Sequence, residues 1–234
     1  MPSLLRVEGA LECTIVSRVN RFVVLVEAGG SSEKAHINNT GRLLGLLAPG
    51  RRGYCLRRDA GRTRYRLFAV EDVGGEAALI DTQLQMRSFE HALGRGLIPW
   101  LRGCSIARRA PRVWGSVLDY LLDCGRPVYA ELKSAVLRLE GDLAAYPDPA
   151  SNRGRRHVEV LARLAEEGVG AVLVFVAAMP RVKGFTLNVE ADPILPSLVR
   201  QAELKGVLVK ALSMHYSPAS SEVVLGNPDL PVHV

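Results

Sequence analysis

The hydrophobic pattern of this 234-residue chain changes period at Asp81-Thr82, and that change limits the folds open to it. Before it, short apolar stretches alternate with Gly-rich turns. LECTIVS, RFVVLVEA, SEKAHI, RGYCLRR, RYRLFAVE and EAALI read as strands, separated by AGGSS, APGRRG, RDAGR and DVGG. RLLGLL, after Asn39-Thr40-Gly41, reads as one short helix, with Thr40 as its cap. Many short strands with one helix imply a small closed barrel over residues 1–81. After the change the spacing becomes helical: Leu84, Phe89 and Leu93 recur in TQLQMRSFEHALGRG, with Thr82 as the expected N-cap. A strand pair around Asp119 and Glu131 follows, then a helix from Asn152 to Glu167 with Val158, Leu161, Ala162 and Ala165 on one face. The apolar strand VGAVLVFVAAM, a helix in DPILPSLVRQAELKG and strands in GVLVKALSM and SEVVLG complete the pattern. Strands alternating with helices predict an α/β layer domain over residues 82–234.

The chemistry concentrates in the strand pair. An antiparallel hairpin centred on Gly125 sets residue 119 opposite residue 131. Opposed side chains have Cβ atoms roughly 5 Å apart. That spacing suits two carboxylates sharing a divalent cation such as Mg²⁺, whose oxygen ligands lie at about 2.1 Å. Alternation puts Lys133 on the face of Glu131, where it can activate a water or stabilise charge building on phosphorus. An exposed hairpin carrying Asp, Glu and Lys on its polar side would read the same way. Partial burial separates the two: Tyr120, Leu121, Leu122, Val128 and Ala130 make both faces apolar, and buried acids need a partner or a metal. Glu90, on the helix from Thr82, is a candidate third carboxylate. Arg153 and His157 share a helix face four residues apart and are candidates for a phosphate.

Net charge is +6, and only five of the 30 cationic residues are lysine. Arginine forks onto phosphate bidentately, though a genome that favours Arg gives the same usage. Seven arginines, Arg51, Arg52, Arg57, Arg58, Arg62, Arg64 and Arg66, crowd the end of the barrel with Tyr54 and Tyr65 between them and only Asp59 to offset them. A basic strand face with aromatics tracks a phosphate backbone and stacks bases. Arg108, Arg109 and Arg112 form a second basic cluster; Arg155 and Arg156 read as solvated helix positions. Cys13, Cys55, Cys104 and Cys124 include no C-x-x-C pair, so zinc is not indicated and reduced, buried thiols are expected, with a disulfide left open. No stretch is apolar for long enough to span a bilayer, and MPSLLRVEGA lacks a secretory layout, so a cytoplasmic protein is expected.

The motifs HINNTGRLLGLLAPG, FEHALGRGLIPWL, LDYLL, YAELKS and YPDPASNRGRRHVEVL, in that order and followed by VLVFVA, resemble the sugar fermentation stimulation protein (SfsA) family. The resemblance covers nearly the whole chain, through VVLGNPDLPV. It implies an N-terminal OB-type barrel and a C-terminal restriction-endonuclease-like, PD-(D/E)xK domain, and a DNA-binding protein linked to sugar-utilisation genes. It also implies that Asp119, Glu131 and Glu90 hold Mg²⁺ or Mn²⁺, that Lys133 joins them in catalysis, and that Pro147-Asp148, Ser151, Arg153, Gly154 and His157 form a second element. The chain departs from the family pattern at Asn38, where Pro is usual, at Val117, where Arg is usual, and at Pro149-Ala150-Ser151. Two functions follow: a metal-dependent nuclease, or a non-catalytic DNA-binding regulator on the same scaffold. Single- and double-stranded DNA both remain open as partners, and a homodimer would suit cutting of both strands. A small-molecule enzyme lacks support, since no phosphate-cradling Gly loop or nucleophile–base pair is present.

Overall fold

The computed structural model describes residues 1–59 and 61–233. Ala60, in the turn expected at RDAGR, lies outside the described residues. The first compact unit contains residues 1–88, 178–181 and 213–226; the second contains 89–177, 182–212 and 227–234. A single cut at 81/82 therefore does not separate them, because the first unit takes up two later segments.

The first unit opens with β1 (Ser3–Arg6), β2 (Leu11–Asn20), β3 (Val23–Ala28), β4 (Ser31–His36), β5 (Arg52–Arg57), β6 (Tyr65–Glu71) and β7 (Ala77–Leu79). Antiparallel pairs β2–β3, β3–β4, β2–β5 and β5–β6 are closed by a parallel β4–β6 contact, Ala35 to Tyr65 and His36 to Arg66, making a five-stranded barrel. Period-two alternation fills it: Val24, Val26 and Ala28 of β3 and Ile15 of β2 point inward and are buried. Gly53 lets β5 pack closely, since a Cβ there would lie 2.7 Å from Leu67 Cδ1 and the Leu67 tip would have to shift. Cys13 and Cys55 are buried free thiols with sulfurs 3.0 Å apart, and the neighbouring Cys13 sulfur and burial both push the Cys55 thiol up.

The expected helix at RLLGLL is absent. Residues 41–47 form turns, and Leu43 at φ 53° cannot continue a right-handed helix. The turn is held instead by Asn39, whose Oδ1 accepts the Gly41 N–H at 2.9 Å, and by Arg18, which donates to the carbonyls of Gly41 and Arg42.

After the barrel come α1 (Thr82–Gly94), β8 (Ser105–Arg109), β9 (Arg112–Val113), β10 (Ser116–Val117), β11 (Tyr120–Asp123), β12 (Pro127–Ala135), β13 (Leu137–Leu139), β14 (Leu143–Tyr146), α2 (Asn152–Glu166), β15 (Gly170–Ala177), β16 (Gly184–Leu187), α3 (Leu195–Leu204), β17 (Leu208–Ser217), β18 (Glu222–Leu225) and β19 (Val232–His233). Asp81, not Thr82, caps α1: its Oδ1 accepts the Leu84 N–H at 3.0 Å. In the second unit the strands run β15-β12-β11-β8, with β12 and β15 parallel and the others antiparallel. β13, β14, β16 and β19 form a smaller sheet. Helix α2 buries Val158, Leu161 and Leu164 in one core with Leu173 and Phe175 of β15, where Phe175 stacks on Phe185 at 4.0 Å. β1 is completed by β18, which also pairs with the C-terminal half of β17.

Two of the four cysteines, Cys104 and Cys124, form a disulfide, so the expectation of reduced thiols holds only for Cys13 and Cys55. Arg155 is not solvated either. It donates to both oxygens of Asp192, which is 1% exposed and also accepts the N–H groups of Ile194 and Leu195 at the start of α3. Among the described residues, no helix is long and apolar enough to cross a membrane.

Candidate functional site

Asp119 lies at a bend one residue before β11. The sequence predicts that VLDYLL runs as one strand. Instead Ser116 and Val117 pair with Val113 and Arg112, and the chain bends at Asp119 before joining β12. The register is nonetheless centred on Gly125: Tyr120 faces Ala130 and Asp123 faces Pro127. Continued by one residue, it sets Asp119 against Glu131. The Asp119 Oδ2 reaches across and accepts the Leu132 N–H at 2.8 Å.

Glu131 is 3% exposed. Its Oε1 accepts Lys133 Nζ at 2.7 Å and makes a short bond with His157 Nδ1. Its Oε2 is buried and has no hydrogen-bond partner among the described residues. His157 arrives from α2, which starts at the Ser151 cap, where Oγ accepts the Gly154 N–H at 3.1 Å. Gly154 lets the Tyr146 hydroxyl approach, since a Cβ there would lie 2.7 Å from it. That close approach of α2 to β14 delivers His157 to the carboxylate.

The two carboxyls are shifted in opposite directions. Burial, and then repulsion from Glu131, raises the Asp119 carboxyl to about 6. Burial would raise Glu131 too, but Lys133 and His157 outweigh it and keep that carboxyl below its usual range. A partly buried carboxylate opposed to a second one, whose free oxygen is orphaned, fits a hard divalent cation. Mg²⁺ commonly takes one or two protein carboxylates and completes its shell with water and phosphate oxygens. Among the described residues, no three His, Cys, Asp or Glu side chains are grouped to hold a metal. Any cation here would therefore rest on Asp119 and Glu131, with solvent or substrate supplying the rest.

Glu90 has other partners. Its two oxygens accept Arg109 Nε and Nη2, both at 2.9 Å, and Oε1 also accepts the Tyr120 hydroxyl at 3.1 Å. Arg109, with the Tyr120 bond, outweighs burial and holds the Glu90 carboxyl below its usual range. Arg109 is thus the partner of an acid rather than a free basic position.

The barrel arginines are less bare than the sequence implies. Arg52 lies 4.0 Å from Glu12 and 3.8 Å from Glu71, Arg64 pairs with Glu33 at 2.8 Å, and Arg66 pairs with the buried Asp81 at 3.1 Å. Arg51 donates to the Glu71 carbonyl and Arg58 to Thr63 Oγ1. Arg57 and Arg62 are exposed. Tyr54 and Tyr65 are buried at 3% and 4% exposure, so strand alternation turns them into the core, away from any base. Arg153 is exposed at the start of α2 and lines a cleft of about 490 Å³ that His157 also borders.

Comparison with known proteins decides the family. A model described as the SfsA N-terminal OB domain matches residues 16–80, and one described as the sugar fermentation stimulation protein RE domain matches residues 83–220. The chain belongs to the SfsA family. Sugar fermentation stimulation protein homologues from Pyrococcus furiosus and Archaeoglobus fulgidus are each 44% identical to it, over 94% and 98% of this chain and 95% and 98% of theirs. A solved structure of Pyrococcus furiosus SfsA in complex with Ca²⁺ covers all of both chains at 42% identity and a TM-score of 0.95. The architecture is that of SfsA: an OB barrel followed by an α/β domain, the one the family model describes as its RE domain.

Sequence reasoning about this SfsA chain missed Trp114, Ser116 and Asp192. The first two had a readable signal, since Trp114-Gly115 separates two short extended stretches as a two-residue turn does. Asp192 had none, because its partner Arg155 lies 37 residues away.

Proposed function

We propose that this SfsA-family chain binds DNA and hydrolyses its phosphodiester bonds with the help of Mg²⁺ or Mn²⁺. The observation that carries the reading is the orphaned, buried Oε2 of Glu131 beside a carboxyl, that of Asp119, whose ionisation Glu131 opposes. Two such groups gain most when a cation lies between them. Asp119 and Glu131 would hold it, and the Ca²⁺ bound by the Pyrococcus furiosus relative supports a divalent ion. The ion would polarise the phosphoryl group and lower the pKa of a bound water. Lys133 Nζ, bonded to Glu131, would donate to a phosphate oxygen as charge builds on it. His157 positions Glu131 by occupying Oε1, which leaves Oε2 for the metal. Glu90 would join only by releasing Arg109. Exposed Arg57 and Arg62 of the barrel and Arg153 of α2 supply cations for the phosphate backbone.

The test incubates purified protein with single- and double-stranded DNA in Mg²⁺ or Mn²⁺ beside an Asp119→Ala control. Metal-dependent cleavage above the control is expected, and its absence in every combination overturns the proposal. One observation favours a second reading: Lys133 and His157 already bond Glu131, and among the described residues no third carboxylate is grouped with it. A non-catalytic DNA-binding regulator would show salt-sensitive binding that survives Asp119→Ala, with no cleavage.

A further inference from the structure

The β9–β10 hairpin ends in a two-residue turn, Trp114-Gly115, with φ of 44° and 77°. Positive φ at both positions is ordinary for Asn-Gly and an outlier for a bulky aromatic residue. Trp114 is nevertheless 41% exposed, so burial in a core does not explain it. It is fixed from behind by α2: the Arg163 guanidinium lies 4.1 Å from its ring centroid, and Arg156 Nη2 donates to its carbonyl at 3.2 Å. Beside the turn runs the cleft bordered by Ser116 and Val117 on one side and by Asn152, Arg153, Arg156 and His157 at the start of α2 on the other. Ser116 is 5% exposed, and its Oγ has no hydrogen-bond partner among the described residues. A buried hydroxyl without a partner, an exposed arginine and a helix N-terminus converge on one cleft. Together they match the oxygens of a phosphate. His157, which bonds Glu131, forms one end of the cleft.

We infer that this cleft seats an unpaired nucleotide next to the Asp119–Glu131 centre, with its base on Trp114 and its phosphate on Arg153 and Ser116. A base inside a duplex has both faces covered by its neighbours, whereas an unpaired one offers a face to an aromatic ring. The preferred substrate is therefore single-stranded DNA, or a single-stranded segment, rather than continuous duplex. The inference rests on the DNA-binding part of the reading above and not on cleavage.

The test measures anisotropy of a labelled single-stranded oligonucleotide and of a blunt duplex in EDTA, which prevents turnover. Trp114→Ala is expected to weaken single-strand binding about tenfold, the effect of losing one stacked base. It should leave duplex binding within about twofold, while Trp114→Phe retains most of the single-strand affinity. Tryptophan emission of the unaltered protein gives a reading that needs no variant to fold: it should be quenched by the oligonucleotide and not by the duplex. Equal loss for both DNAs, no loss for either, or quenching by a free deoxynucleoside monophosphate but not by the oligonucleotide overturns the inference. A chain that quenches on single strands yet never cleaves loses the phosphodiesterase reading alone. A chain that cleaves without single-strand quenching loses this one alone.

Discussion

Replacing Asp119 by Asn is expected to stabilise the metal-free protein, and to do so only above a definite pH. Burial and the opposed Glu131 raise the Asp119 carboxyl from 3.8 to about 6 in the folded state. Below pH 3.8 the folded and unfolded chains both carry the proton, and the wild type incurs no penalty. As pH climbs from there towards 6 the unfolded chain releases the proton first, so stability is lost, and above 6 the loss is complete. At about 1.4 kcal/mol for each pH unit in that window, the full cost is about 3 kcal/mol. Solvent reaching the partly open side chain reduces it to about 2 kcal/mol. Asparagine carries no charge to desolvate, and its Oδ1 can still accept the Leu132 N–H that Asp119 now takes at 2.8 Å. Guanidinium unfolding in EDTA across pH 3.5 to 8 should show the two proteins converging in acid and Asp119→Asn more stable by about 2 kcal/mol at neutrality. Added Mn²⁺ should then stabilise the wild type by mass action and leave the variant unmoved. Equal stabilities at pH 8, or a less stable variant, would refute the argument that Asp119 is held at a cost.

Lys133→Met should remove about 3–5 kcal/mol, because it leaves the 3%-exposed Glu131 with His157 alone; Glu131→Gln/Lys133→Met should recover part of that loss in the same unfolding assay. Arg155→Ala should cost a similar amount by stranding Asp192. Burial alone would raise that carboxyl, but Arg155 and the Leu195 and Ile194 amides hold it low, so the difference between variant and wild type is present above pH 3.8 and shrinks below it. Cys104→Ser/Cys124→Ser should lower stability by about 3 kcal/mol, as loss of a cross-link over 20 residues predicts, and reduced wild type should match it in denaturant melts.

The barrel strands were legible because period-two alternation is a local property, and six of the stretches read as strands are strands. So was the register centred on Gly125, since a short turn leaves a hairpin little choice of pairing. What stayed hidden was chosen by contacts distant in sequence. Nothing near Glu131 announces that His157, 26 residues on, bonds its carboxylate. Glu90 had the right residue type and helix, but Arg109 claims it from a strand 19 residues away. Tyr54 and Tyr65 were read as stacking platforms because composition does not say which strand face is inside; closure of the barrel does. Leu43 illustrates a different limit, where apolar helical spacing is overruled by backbone held in the left-handed region.

The pairing of β1 with β18 sets a timetable for synthesis. Strand Ser3–Arg6 is made more than 200 residues before its partner Glu222–Leu225. At typical elongation rates the wait is roughly 10–40 s. Through that interval the barrel side of the nascent chain carries an unmatched strand edge, the kind of edge that recruits other chains. A segment cut at residue 81 would keep that edge permanently open, because it lacks Glu222–Leu225.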